Sequence, residues 1–219
     1  MESTTPESPL TPSLVAYVEA VILPQYDAFD AGHRRDHAQH VIESSLYLAR
    51  AYDVDKDMVY AIAACHDLGL RYGREHHHTD SARLLLADER LPQWFTPRQL
   101  ALMADAVEDH RASADRPPRT LYGCIVADAD HDSDALTVVR RTVQYGLHHY
   151  PDLTADEHVA RAVAHLDEKY APDGYLHYWL PESRRSPRRQ ELYALIADRP
   201  RLLALVRQLL AEEQLHPDH

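Results

Sequence analysis

Apolar residues recur every three to four positions along most of this chain, and that spacing predicts helices. Leu14, Val15, Val18, Val21 and Ile22 begin the pattern, giving a helix from Ser13 to about Phe29 with a candidate interruption at Pro24. A second helix follows from about His33 to Tyr52. Its inner face carries Val41, Ser44, Leu48 and Tyr52 and, near the same face, His33 and His37. Met58, Ile62 and Cys65 form the stripe of a third helix, Asp55 to Leu68, capped by Asp55 or Asp53. A fourth runs from Glu75 to Asp88. After a break anchored by Trp94 and Phe95, a fifth runs from Arg98 to about His110. Further helices span Arg119 to Ala129, Ala135 to His149 (capped by Asp132 or Asp134) and Thr154 to Lys169, the last opened by a Thr-Ala-Asp-Glu capping box. Residues Ala171 to Pro187 are irregular, and Arg188 to Glu213 reads as two short helices around Pro200. Alternating strand patterns are scarce, so the expected class is all-α.

Composition sharpens this. With 45% hydrophobic residues and six glycines in 219 residues, the chain can bury one sizeable core. No repeat or linker divides it. The expectation is a single compact helical domain over residues 13–219, preceded by a disordered arm at residues 1–12, which holds three prolines. The net charge of −12 argues against broad binding to nucleic-acid backbone. It leaves room for an anionic small molecule held by cations within a site. Two distant cysteines, Cys65 and Cys124, fit a reduced compartment. No basic-then-apolar leader opens the chain, and no apolar run approaches the roughly 20 residues needed to span a bilayer. The expected location is cytoplasmic, with no membrane partner.

The chemistry concentrates at helix ends. Ala61-Ile-Ala-Ala-Cys-His-Asp-Leu-Gly-Leu70 is a buried helix that finishes in His66-Asp67, with Gly69 read as its stop signal. An imidazole and a carboxylate there can share a cation beside the free carbonyls of the helix end. Alone, the pair reads equally as a core histidine bonded to its neighbour. His37 adds a second inward imidazole. His76, His77 and His78 point in three directions, so at most two serve one place. Asp128-Ala-Asp130 ends another apolar helix and is not needed to cap the next.

Taken in order, His37, then His66-Asp67, then Asp128 or Asp130 resembles the HD-domain superfamily of metal-dependent phosphohydrolases. Gly32-His-Arg-Arg-Asp-His37-Ala-Gln-His-Val41 is similar to the family's opening helix, Ala63-Ala-Cys-His66-Asp67-Leu-Gly to its His-Asp helix, and Val126-Ala-Asp-Ala-Asp130-His to its final Asp helix. The resemblance covers about residues 30–135 and leaves 136–219 as a C-terminal helical extension. It implies metal ligands His37, His66, Asp67 and Asp130, and a second ion on His77 and His110. His33 and Asp67 are read as catalytic or supporting residues, and Arg71 and Arg74, where the family more often has an acid or Lys after the His-Asp pair, together with Arg111, as contacts to phosphate. No Glu follows the His-Asp pair as a proton donor; the neighbourhood reads Leu68-Gly-Leu-Arg-Tyr-Gly-Arg74.

Nitrogen and oxygen ligands of this kind suit one or two ions of Mn, Fe, Co, Ni, Zn or Mg. Such an ion lowers the pKa of bound water from 15.7 towards roughly 7–9, giving hydroxide near neutral pH. The implied activity is hydrolysis of a small phosphate ester or nucleotide. A non-catalytic ligand sensor and a di-iron oxygenase on the same fold are the alternatives.

Overall fold

The computed structural model describes residues 9–29, 35–111, 116–131 and 134–215. Every regular element among them is helical, as the apolar spacing predicts. The order is α1 (Pro12–Tyr17), α2 (Arg35–Ala49), α3 (Lys56–Cys65), α4 (His77–Ala87), α5 (Pro97–Glu108), α6 (Leu121–Asp130), α7 (Ala135–His149), α8 (Ala155–Tyr170), α9 (Pro181–Arg184), α10 (Pro187–Ala197) and α11 (Arg199–Leu215). Between α1 and α2 the chain makes a π turn, Val18–Ile22, then a 3-10 turn, Leu23–Ala28. Pro24 lacks the N–H that would continue an α ladder, so the register changes there. Among the described residues no helix is long and apolar enough to cross a membrane.

The chain forms two compact units. The first comprises α1 to α5 through His110, together with Pro118–Val126; the second comprises Arg111–Pro117 and Ala127–His219. In the first unit α2 packs on α3, and α4 on α5 and on the 3-10 turn Leu68–Tyr72 that follows α3. Every residue of α3 from Met58 to Cys65 is buried, which is what an apolar, Ala-rich helix requires. Asp55 caps it through the Asp57 and Met58 amides. Thr96 and Gln99 form a capping box at the start of α5. Thr11 bonds Asp57 through both its amide and its hydroxyl, and so ties the entry of α1 to α3; residues 1–8 of the expected arm lie outside the described residues.

In the second unit α7, α8, α10 and α11 bury Val139, Val143, Ala162, Leu166, Leu192, Leu202, Val206 and Leu209 as one core. Asp134 caps α7, and the Thr154–Glu157 capping box opens α8. The C-terminal helices differ from the expected two short pieces. Pro200 sits in the first turn of α11, where its missing N–H costs nothing, and the helix runs 17 residues; the break comes at Asp198.

Candidate metal centre

Local structure turns four histidines of the first unit, His37, His66, His77 and His110, towards one carboxylate. His66 follows α3, and His110 comes two residues after α5. Each bonds through Nδ1 to the carbonyl three residues earlier, at 2.8 Å to Ala63 and 2.6 Å to Val107. Those carbonyls belong to the last turns of their helices and lack amide partners within them. His77 opens α4 and repeats the device with the Arg74 carbonyl at 2.8 Å. A carbonyl only accepts, so in each ring the proton sits on Nδ1. The Nε2 of each neutral ring is then a lone-pair donor.

All of these donors converge on Asp67. Its Oδ2 lies 3.3 Å from Nε2 of His66 and 4.0 Å from Nε2 of His37. Its Oδ1 lies 3.4 Å from Nε2 of His110 and 3.6 Å from Nε2 of His77. The two oxygens therefore serve two groups, His37–His66–Asp67 and Asp67–His77–His110. In each group the donor atoms lie within 4.8 Å of one another, close enough to hold one ion. His37, His66, Asp67 and His110 are buried, and the His77 side chain keeps 16% exposure, which makes it the edge of the cluster towards solvent.

Burial alone would push the Asp67 carboxyl up, but the imidazoles of His66 and His110 outweigh it and hold the group well below the usual carboxylate range. Asp67 is thus ionised at neutral pH, the state a ligand needs. Burial, aided by the neighbouring His110, lowers His77 to about 4. A histidine depressed in the fold contributes stability that is complete above its unfolded pKa, about 6.5, and is lost as pH falls towards its folded value. Metal-stripped protein is therefore expected to lose stability between about pH 6.5 and 4, and His77→Gln to flatten that decline. Urea midpoints at pH 7, 5.5 and 4.5 measure it; an equally steep fall in both proteins would contradict the assignment.

Gly69 has a different job from the one its position suggests. Its φ is not positive, so it is no left-handed helix cap; Gly73, at φ 110°, is the glycine that closes the following 3-10 turn. A Cβ on Gly69 would stand 2.1 Å from the His77 carbonyl oxygen and 2.6 Å from the Ser81 amide nitrogen. Its absence lets α4 press against the turn after Asp67, and the Gly69 amide donates to Ser81 Oγ at 2.8 Å. This contact brings His77 within reach of Asp67.

The other residues singled out from sequence fall as follows. His33 lies outside the described residues. Arg71 is exposed and donates to Gln25 at 2.8 Å. Arg74 is exposed and gives its carbonyl to His77. Arg111 directly follows His110 and is half-buried. Asp128 and Asp130 are in the second unit. Both Asp128 oxygens accept backbone amides, from Trp179 at 2.9 Å and Leu180 at 2.8 Å. Burial pushes its carboxyl up against the pull of those amides. Asp130 sits 3.5 Å from Nδ1 of His131. The irregular stretch after α8 is held inside its own unit. Tyr178 and Leu180 are buried, and Arg184 donates to the carbonyls of Tyr178 and Trp179.

Tyr26 is the member of this neighbourhood that sequence reasoning passed over. It is fully buried, and its hydroxyl lies between the end of α3 and Asp67. The only local signal was Pro24, which marks the change of register before it.

The fold and site define a class: a helical protein in which histidines from four helix ends surround a buried aspartate in a manner suited to divalent metal. The family model of the HD domain matches residues 34–134, and this segment belongs to that family. Comparison with curated proteins and with solved structures returns no match.

Proposed function

We propose that the protein is a divalent-metal-dependent phosphohydrolase acting on a small phosphate ester or nucleotide. The observation that carries this reading is the charge of the ligand set. Four imidazoles, neutral when they ligate, surround a single carboxylate in the two groups of described residues. Whether one or two divalent ions are held there, the cluster keeps a net positive charge, which an anionic substrate offsets. A phosphate ester supplies that charge. When bound, the ion provides Lewis-acid stabilisation of phosphoryl oxygens and a water acidified towards neutral pKa.

The chain's own residues do the rest. The Nδ1–carbonyl bonds fix which ring nitrogen faces inward. Asp67 stays ionised and presents one oxygen to each histidine pair, so it is a shared ligand and not a proton donor. His77 stands on the solvent side of the cluster, where a substrate arrives. Arg71 and Arg74, exposed on the turn between Asp67 and His77, are our candidates for its phosphate.

The test is chelator-stripped protein reloaded in turn with Mn, Fe, Co, Ni, Zn and Mg. It is then assayed for phosphate release from nucleotides and small phosphate esters. At least one ion is expected to restore turnover that the stripped protein lacks. Stoichiometric metal binding with no phosphate release across the panel would overturn the hydrolase and favour the sensor. An oxygen-dependent change in the absorption spectrum of iron-loaded protein would favour the oxygenase.

A further inference from the structure

Tyr26 sits in the 3-10 turn before α2, far in sequence from the residues it meets. Its hydroxyl donates to the Ala64 carbonyl at 2.9 Å and accepts the Asp67 amide at 3.3 Å. Its ring lies stacked near His66, with centroids 6.3 Å apart. Both backbone groups need such a partner. The Ala64 carbonyl is in the last turn of α3, where no amide follows to close the ladder. The Asp67 backbone, at φ −112° and ψ 10°, has left the helix. An N–H and a C=O buried without a bond would each carry an uncompensated desolvation penalty. One hydroxyl satisfies both, and in doing so fixes the direction in which the chain leaves α3.

We propose that Tyr26 is a positioning residue for the metal centre: its hydroxyl clamps the α3 terminus so that the Asp67 carboxylate is presented with one oxygen towards each histidine pair. This inference rests on the metal-centre reading and extends it to a residue that donates nothing to the ion. The clamp works on the backbone of the one ligand common to both groups. Loosening it therefore weakens both groups together, whereas loss of a single histidine weakens one. Ser81 holds the other side of the same turn through the Gly69 amide, so the segment carrying Asp67 is pinned at two points. The register change in Val18–Ala28 supplies the geometry, since an uninterrupted α-helix would carry Tyr26 to a different angle.

The experiment compares wild type, Tyr26→Phe and Tyr17→Phe, each stripped with chelator and titrated calorimetrically with Mn and with Zn. Tyr17 is the control, a mostly buried tyrosine of the same unit whose hydroxyl bonds Asp88 at 2.5 Å. Both variants are expected to melt somewhat earlier than wild type. Tyr26→Phe is expected to lose about tenfold in affinity for every ion bound, the scale typical of lost ligand-supporting contacts, while Tyr17→Phe keeps wild-type affinity. Tyr26→Phe binding as tightly as wild type would overturn the positioning role alone. A wild type that binds no divalent ion would remove the metal-centre reading and this inference with it. Should Tyr26→Phe not fold, amide exchange in wild-type protein decides the matter: the Asp67 amide is expected to exchange slowly with and without Zn, and fast exchange in both states would overturn the clamp.

Discussion

Asp67→Asn is expected to abolish tight divalent-metal binding altogether, lowering affinity by more than about 100-fold, beyond the range for supporting contacts alone. Turnover should fall with it. The amide keeps the volume but loses the charge, and one of its two inward atoms becomes an N–H₂ donor that cannot ligate. Because Oδ1 and Oδ2 face different histidine pairs, the loss strikes both groups. The histidines behave otherwise. His37→Ala removes a donor from one group, and His110→Ala from the other, so each should leave one group competent. Elemental analysis of purified variants separates these outcomes. An Asp67→Asn protein that keeps wild-type metal content would show that the carboxylate is an internal counter-ion and not a ligand.

The second large effect is structural. Gly69→Ala is expected to destabilise the first unit by about 3 kcal/mol and to weaken metal binding at the His77 side first. The added methyl meets backbone atoms, the His77 carbonyl and the Ser81 amide. No rotamer change relieves such a clash, so the start of α4 must move away. Denaturant melts of metal-free protein measure the first part and calorimetry the second. Unaltered stability would mean that α4 gives way freely, and that the close approach does not hold His77 in place. Gly73→Ala makes a useful contrast, since a Cβ there meets open space and the cost is the strained backbone alone.

The residues themselves show why some of this was legible in the sequence. The helices were, because their apolar stripes and caps are local: Asp55, Asp134 and the Thr154–Glu157 pair occupy their caps as the pattern indicates. His37, His66, Asp67, His77 and His110 were legible as candidates, because polar side chains at the ends of apolar helices stand out. Their pairing was not. Which histidine faces which oxygen of Asp67 depends on how α2, α4 and α5 pack, and no spacing along the chain records it. Gly69 misled for the same reason. A glycine after a helix is most simply a stop signal, and only the approach of α4 reveals its use. Tyr26 was invisible because its two partners lie about forty positions away. Asp128 and Asp130 remain alternatives for the distant carboxylate. Their helix delivers both to one end, and the structure shows Asp128 engaged by the Trp179 and Leu180 amides.

The wide spread of the ligands along the chain has a consequence for folding. His37 and His110 bracket most of the first unit, and each is anchored to its own helix. An ion shared through Asp67 would then be a reversible cross-link between distant parts of the polypeptide. It favours the docked state by mass action, in proportion to the logarithm of free metal over its dissociation constant. Metal supply in the cell would thus act as a rheostat on the lifetime of the folded chain as well as on its chemistry, so that starvation for the ion exposes the protein to proteolysis before any residue is altered.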